Sequence, residues 1–250
     1  MLIIVSPTKT MKENIVQKEE PLFFTNISKA IMKELQKLKE NEIKSLMKVN
    51  DKIAKLNFNR YHNFKFDDQG TKAIEAYQGL QYQYMDIDTL DKKDKKFADK
   101  HLRILSGLYG VLKPNHVVYP YRLEMQAKLS VNGHKDLYDL WKETISDHLI
   151  KELDNHKEPI ILNLASNEYS KVLNKHCKKY MITIQLKIEK NGKIKTESTQ
   201  AKMVRGRMVS YLLRNKVETL DALKQFQEDG YQFEESLSNE HEYVFVKREK

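Results

Sequence analysis

His101 to Met125 read HLRILSGLYGVLKPNHVVYPYRLEM, and this stretch organises the rest of the chain. Leu102, Ile104 and Leu105 predict a short strand, closed by Gly107 and Gly110 at a spacing that suits a sharp bend or a close approach of backbone. Pro114 and Pro120 then stiffen an irregular loop that sets Tyr121, Arg122 and Glu124 almost side by side. Loops of this kind often present binding groups. Two readings stay open: the loop carries a site, or it is a rigid connector in which Arg122 and Glu124 pair with each other.

Working outward, Leu2 to Val5 form a second apolar run that predicts a buried strand stopping at Ser6 and Pro7. Ser6, Thr8, Lys9 and Thr10 therefore stand just past a strand end, where open α/β sheets often bind ligands; a polar turn with an exposed lysine is the plainer alternative. Pro159 opens another strand, Ile160 to Leu164, handing over to Ala165, Ser166, Asn167, Glu168 and Tyr169. Helical spacing runs over Ser28 to Lys39, Ile43 to Val49, Lys52 to His62, Asp91 to Lys100 and Asp136 to Leu153, with a turn expected at Asp67, Asp68 and Gly70. Asn191 and Gly192 sit between two strand patterns and fit a type I′ hairpin. A last helix, about Gln200 to Asn215, contains Gly206; glycine costs about 1 kcal/mol relative to alanine there, so a close approach or a local break is expected. Tyr231, Phe233 and Tyr243 to Val246 return to the sheet. With no repeat, low-complexity tract or linker, the expectation is one compact α/β body over residues 1–250, mixed α+β in its sheet, with a helical lobe.

Composition narrows the function classes. No apolar run approaches the ~20 residues that span a bilayer, and Lys9 and Lys12 follow the N-terminal apolar stretch without a small-residue cleavage site. The expectation is a cytoplasmic protein with no membrane partner. Cys177 is the one cysteine, which excludes an internal disulfide and a thiolate metal site; it reads as an incidental thiol, or as a redox sensor if exposed. The net charge is +9, and Lys171 to Arg207 alone hold eleven basic and two acidic residues, a surplus that suits a polyanion as well as simple solubility.

Residues 42–62 read as two helices around a tight turn at Val49 to Asp51, with Ile43, Leu46 and Met47 facing Ile53, Ala54 and Leu56, and with Lys48, Lys52, Lys55 and Arg60 outside. This resembles a helix-hairpin-helix, which holds a phosphate backbone through hairpin amides. The hairpin glycines of that motif are missing, and Asp51 in the turn would repel a phosphate. HExxH, Walker A, GxSxG, GxGxxG and ExxH patterns are absent, and the eight histidines are scattered, so neither a metal nor a cofactor is called for.

Five segments taken together, MLIIVSPTKTM, HLRILSGLYGVLKP with PYRLEM, KDLYDLW, NLASNEYSK and KMVRGRMVSYL, resemble the bacterial YaaA family of peroxide-stress proteins from residue 1 to about residue 246. The resemblance implies a cytoplasmic protein that limits hydrogen peroxide damage by lowering unincorporated iron. It also implies a family-specific fold with a helix-hairpin-helix element, a positively charged cleft and an ability to bind DNA. Its patterns fall on Ser6, Lys9, Thr10, Gly107, Tyr109, Gly110, Arg122, Glu124, Asn163, Ser166, Glu168, Tyr169, Lys202, Arg205 and Gly206.

These groups are expected to converge on one cleft. Lys9, Thr10, Arg122, Lys202 and Arg205, with Lys48, Lys52 and Arg60 of the helical hairpin, are the candidate DNA or phosphate contacts. Tyr109 would stack a base, and Ser6, Asn163, Ser166, Glu124 and Glu168 would line the pocket. The alternative is a set of separate capping and ion-pair clusters. Two functions follow: a DNA-binding stress factor, or an enzyme acting on a nucleotide or small phosphorylated substrate with Lys9, Glu124 or Glu168 as acid or base. A shallow groove would favour the first and a closed pocket the second. Direct iron binding by exposed carboxylates is a third, weaker possibility.

Overall fold

A computed structural model describes residues 1–66 and 69–249. Its centre is an eight-stranded sheet. β1 (Leu2–Val5), β2 (Leu102–Ser106), β3 (Gly110–Leu112), β4 (Ile161–Asn163), β5 (Met181–Lys190), β6 (Lys193–Lys195), β7 (Tyr231–Phe233) and β8 (Glu242–Glu249) lie in the order β7-β8-β5-β4-β1-β2-β3, with β6 on the far end of β5. β8, β5, β4, β1 and β2 are parallel, and β3, β6 and β7 add antiparallel edges. β1 is apolar throughout, and β2 is apolar but for Ser106 and for Arg103, which pairs with Glu152; both strands are buried along their whole length, as inner parallel strands are.

The connections are helical. α1 (Thr25–Gln36), α2 (Glu40–Met47), α3 (Asp51–His62), α4 (Leu80–Met85) and α5 (Lys92–His101) separate β1 from β2; α6 (Leu137–Leu153) precedes β4; α7 (Asn167–Ser170) follows it; α8 (Ser198–Arg214) lies between β6 and β7. Apolar positions at helical spacing on α6 enter the core, where the fully buried Trp141 donates its indole N–H to the Gly107 carbonyl at 2.9 Å. A Cβ on Gly107 would stand 2.5 Å from the Leu123 carbonyl oxygen, so glycine is what lets the Tyr121–Met125 segment cross the end of β2. No helix is long and apolar enough to cross a membrane among the described residues.

Several expectations meet the structure directly. The β5–β6 hairpin turns on Asn191 and Gly192, both at positive φ (51° and 71°) as a type I′ turn requires. α2 and α3 form the expected helical pair, with Lys48 in the left-handed conformation and Asn50 Oδ1 capping α3 by accepting from the Ile53 amide at 3.0 Å. Leu56 does not join the interface. It is 48% exposed, because the buried stripe of α3 runs through Ala54, Asn57 and Tyr61. Helix α8 is not broken at Gly206. Instead a Cβ there would lie 2.3 Å from the Gln81 carbonyl oxygen, so the glycine marks a close crossing of α8 over α4. Of the expected turn at Asp67, Asp68 and Gly70, the two aspartates lie outside the described residues and Gly70 belongs to the short strand Gln69–Lys72.

The basic block of residues 171–207 does not gather as one patch. Lys175, Lys178 and Lys179 precede β5 at its N-terminal end, whereas Lys190, Lys193 and Lys195 sit on the β5–β6 ribbon. Because Thr183 pairs with Asn163, the last residue of β4, the ribbon overshoots β4 by seven residues, about 23 Å at ~3.3 Å per residue. Lys190, Lys195 and Arg207 are partly neutralised by Glu249, Glu197 and Asp229.

Candidate functional site

Strand order reverses between β1 and β4: the chain leaves β1 to build β2 on one side and returns to lay β4 on the other. Loops beyond the carboxyl ends of such a pair diverge and leave a crevice, the general ligand position of open α/β sheets. Here the two strand ends are stitched together. The Ser166 amide donates to Ser6 Oγ at 2.8 Å, and the two hydroxyls stand 3.1 Å apart. α4 spans both ends, with Tyr82 donating to the Ser6 carbonyl at 3.0 Å and Gln81 Nε2 to the Leu164 carbonyl at 3.2 Å. α8 crosses α4 at Gly206 and thereby brings Lys202 and Arg205 to the same place.

The result is a cavity of about 460 Å³ lined by residues from β1's loop, the Gln78–Gln81 segment, the Tyr121–Glu124 segment, α7 and α8. It gathers Ser6, Lys9, Thr10, Arg122, Glu124, Ser166, Glu168, Lys202 and Arg205. Tyr109 is not among them. It is 2% exposed behind the wall, where its hydroxyl accepts the Tyr119 amide at 3.1 Å and its ring meets Tyr121 edge-on. Base stacking by Tyr109 is thus sterically closed off. Asn163 is likewise interior, its side chain spent on the Ala165 amide and the Thr183 hydroxyl. Lys48, Lys52 and Arg60 belong to the α2–α3 pair and do not line the cavity. Sequence reasoning missed the contribution of Gln78, Gly79 and Gln81. The only local sign of it was a glycine between glutamines ahead of a polar, tyrosine-rich helix.

Arg122 and Glu124, two residues apart in the irregular Tyr121–Glu124 segment, turn to the same side and meet there. Arg122 donates from Nη2 at 2.8 Å and from Nε at 3.1 Å to Glu124 Oε1, and Lys9 Nζ approaches that oxygen at 3.4 Å. The backbone beneath is held by the Tyr61 hydroxyl, which donates to the Arg122 carbonyl. Tyr121 is anchored by Ser106 Oγ at 2.5 Å and by Tyr77 at 2.8 Å, and burial pushes its hydroxyl up to about 12, so it stays protonated. Arg122 and Glu124 thus pair with each other and also line the cavity.

Three buried polar atoms at the cavity have no partner among the described residues: Glu124 Oε2, Glu168 Oε1 and Arg205 Nε. Such atoms are rare in folded proteins, since each forgoes its hydrogen bonds to water. Burial raises the Glu168 carboxyl above its usual range and Glu124 adds to the rise, while the Gln126 amide and Lys9 oppose it. Burial also disfavours the Arg205 cation, yet a guanidinium keeps its proton. No three His, Cys, Asp or Glu side chains converge as a metal-ligand set among the described residues. Cys177 is buried, and burial pushes its thiol up to about 12, so it is not a poised redox sensor.

The family model described as peroxide stress protein YaaA matches residues 1–237. Similar proteins include UPF0246 proteins of Clostridioides difficile, 43% identical, of Agathobacter rectalis, 40% identical, and of Crocosphaera subtropica, 36% identical. Each of these alignments covers 99% of this chain and 99% or more of the relative. With the match running through the strand ends that build the cavity, the chain belongs to the YaaA family of peroxide stress proteins.

Proposed function

We propose that this protein acts in the cytoplasm as a DNA-binding peroxide-stress factor that lowers unincorporated iron, with the switch-point cavity as its central contact. Family membership supports the peroxide-stress role. The observation that carries the contact is the uncommitted guanidinium of Arg205, which lines the cavity together with Lys202. Cations placed in this way take phosphates without reading sequence. The α2–α3 pair offers Lys48 and Lys52 as a second phosphate contact, although Asn50 already occupies the Ile53 amide that a helix-hairpin-helix would direct at DNA. Binding to duplex and single-stranded DNA at two salt concentrations tests this reading. Affinity should fall steeply with salt and vary little with sequence, and replacing Lys48 and Lys52 together should lower the salt slope by about 2. No binding at low salt would sink the proposal. In a deletion strain, peroxide sensitivity relieved by an iron chelator would support the iron arm, and sensitivity unchanged by chelation would reject it.

A second reading has its own observation. The cavity volume lies within the ~300–1,000 Å³ of small-ligand sites, and it holds both a half-buried carboxyl and a half-buried cation, each with an unpartnered buried atom, which suits a nucleotide or small phosphorylated substrate with Glu168 as acid and Glu124 or Lys9 in support.

A further inference from the structure

The charges of the cavity divide into committed and uncommitted groups. Glu124 Oε1 accepts from both Arg122 nitrogens and lies against Lys9, so two of the cations expected to receive phosphate are already neutralised. Arg205 is different. It makes no hydrogen bond or ion pair with any described residue, and its Nε is buried. On the opposite sign, Glu168 keeps Oε1 buried and unpartnered while its backbone carbonyl accepts the Tyr138 hydroxyl at 2.8 Å, which fixes its segment in place. Tyr169, 7% exposed, and to a lesser extent Tyr121, 3% exposed, line the cavity, unlike Tyr109, which lies behind the wall.

A ligand that satisfies this arrangement carries an anion for Arg205, a flat apolar ring for the tyrosine surface and a polar edge for Glu168. A base pair inside a duplex cannot supply all three, because its ring faces are stacked and its pairing edge is occupied. We infer that the cavity is a site for one unpaired nucleotide unit, its phosphoryl group on Arg205 and Lys202 and its base edge on the Glu168 carboxyl. The unpartnered Oε1 offers an acceptor to a base N–H in either protonation state, and a protonated carboxyl adds a donor beside an acceptor, the pair that every nucleobase pairing edge can meet. Burial that favours the neutral form of Glu168 is consistent with that role. This inference rests on the proposed nucleic-acid function and says what the cavity itself takes, either a free nucleotide or an unpaired nucleotide of a DNA strand.

The test is calorimetric titration of the full chain with the four 2′-deoxynucleoside 5′-monophosphates, their nucleosides and inorganic phosphate. At least one nucleotide should bind about tenfold or more tightly than its nucleoside and than phosphate alone. Arg205→Met should erase the advantage of nucleotide over nucleoside. Glu168→Ala should weaken binding about tenfold, whereas Glu168→Gln, which keeps a donor and an acceptor, should retain most of it. Competition between the nucleotide and an oligonucleotide with one unpaired position assigns the source: displacement means the cavity takes the unpaired unit from DNA, and nucleotide binding without displacement means it takes the free form. Duplex binding at low salt, run in parallel, separates the two proposals. Duplex binding with no nucleotide binding at about 1 mM would overturn this inference and leave DNA binding standing. Nucleotide binding without duplex binding would do the reverse. Equal loss with Glu168→Gln and Glu168→Ala in folded proteins would remove the base-edge role.

Discussion

Two carboxylates carry the contrast between the helical pair α2–α3 and the cavity at the ends of β1 and β4. Asp51 opens α3 in full solvent, with Lys44 at 2.8 Å holding its carboxyl below the usual range. Glu168 opens α7 in a half-buried wall, and burial drives its carboxyl the other way. The local grammar is the same, an acid in the first turn of a helix, where the macrodipole favours negative charge. What differs is the surrounding dielectric. In water a neighbouring lysine decides the sign, and in the wall desolvation does. The same distinction separates Lys44 with Asp51, an exposed pair of the kind that contributes little, from Arg122 with Glu124, whose side chains are 13% and 8% exposed.

The largest effect that sharpens this comparison is Glu124→Ala. Removing the acceptor leaves the mostly buried Arg122 unpaired, and denaturant unfolding should show a loss of about 3 kcal/mol. The matching Lys44→Ala change on the helical pair should leave the unfolding midpoint nearly unmoved; equal losses would break the comparison. Next comes Gly206→Ala. Alanine is favoured over glycine in a helix by about 1 kcal/mol, but here its Cβ would press on the Gln81 carbonyl, so a net loss of about 2 kcal/mol is expected. A gain in stability would show that α8 and α4 are free to part.

Arg205→Met should act in the opposite direction. Replacing this half-buried guanidinium, whose Nε is buried and unpartnered, with an apolar side chain of similar length should stabilise the protein by about 1 kcal/mol while weakening ligand contact, the trade expected of a site. Destabilisation would mean that Arg205 serves the fold. The smallest effects are in pH dependence, and their signs differ. Glu168 has a folded pKa above its unfolded value, so its contribution is present below about 4.5 and is lost as pH rises through the folded pKa. Glu168→Gln should therefore match the parent near pH 4 and exceed it near pH 8 in thermal melts. Asp51 has the reverse sign: its contribution is present above the unfolded pKa and fades as pH falls through the folded one, so Asp51→Asn should differ from the parent at neutral pH and converge with it in acid.

Much of the fold was legible wherever the physics is local. β1, α6, α8 and the Asn191–Gly192 turn follow from an unbroken apolar run, a 3.6-residue stripe and two residues tolerant of positive φ. The site was legible in its membership but not in its roles. Tyr109 and Asn163 sit in the same motifs as Glu168 and Arg122, yet the first pair turned inward, Tyr109 from the turn between β2 and β3 to hold the Tyr119 amide and Asn163 from the end of β4 to hold the Ala165 amide. A run of lysines along the chain likewise says nothing of space: β5 is long enough to carry its flanking charges to opposite ends.

By itself, the sequence determined the family, the strands and helices, and the polar groups that stand at strand ends, since these depend on neighbours a few residues apart. Only the tertiary structure decided which of those groups share a cavity. The strand order places β1 against β4, 160 residues away, at Ser6 and Ser166, and a glycine on α8 admits α4 so that Arg205 arrives at the same wall. It also decided which charges are spent and which are free, because burial and pairing are properties of the assembled surface and not of any segment.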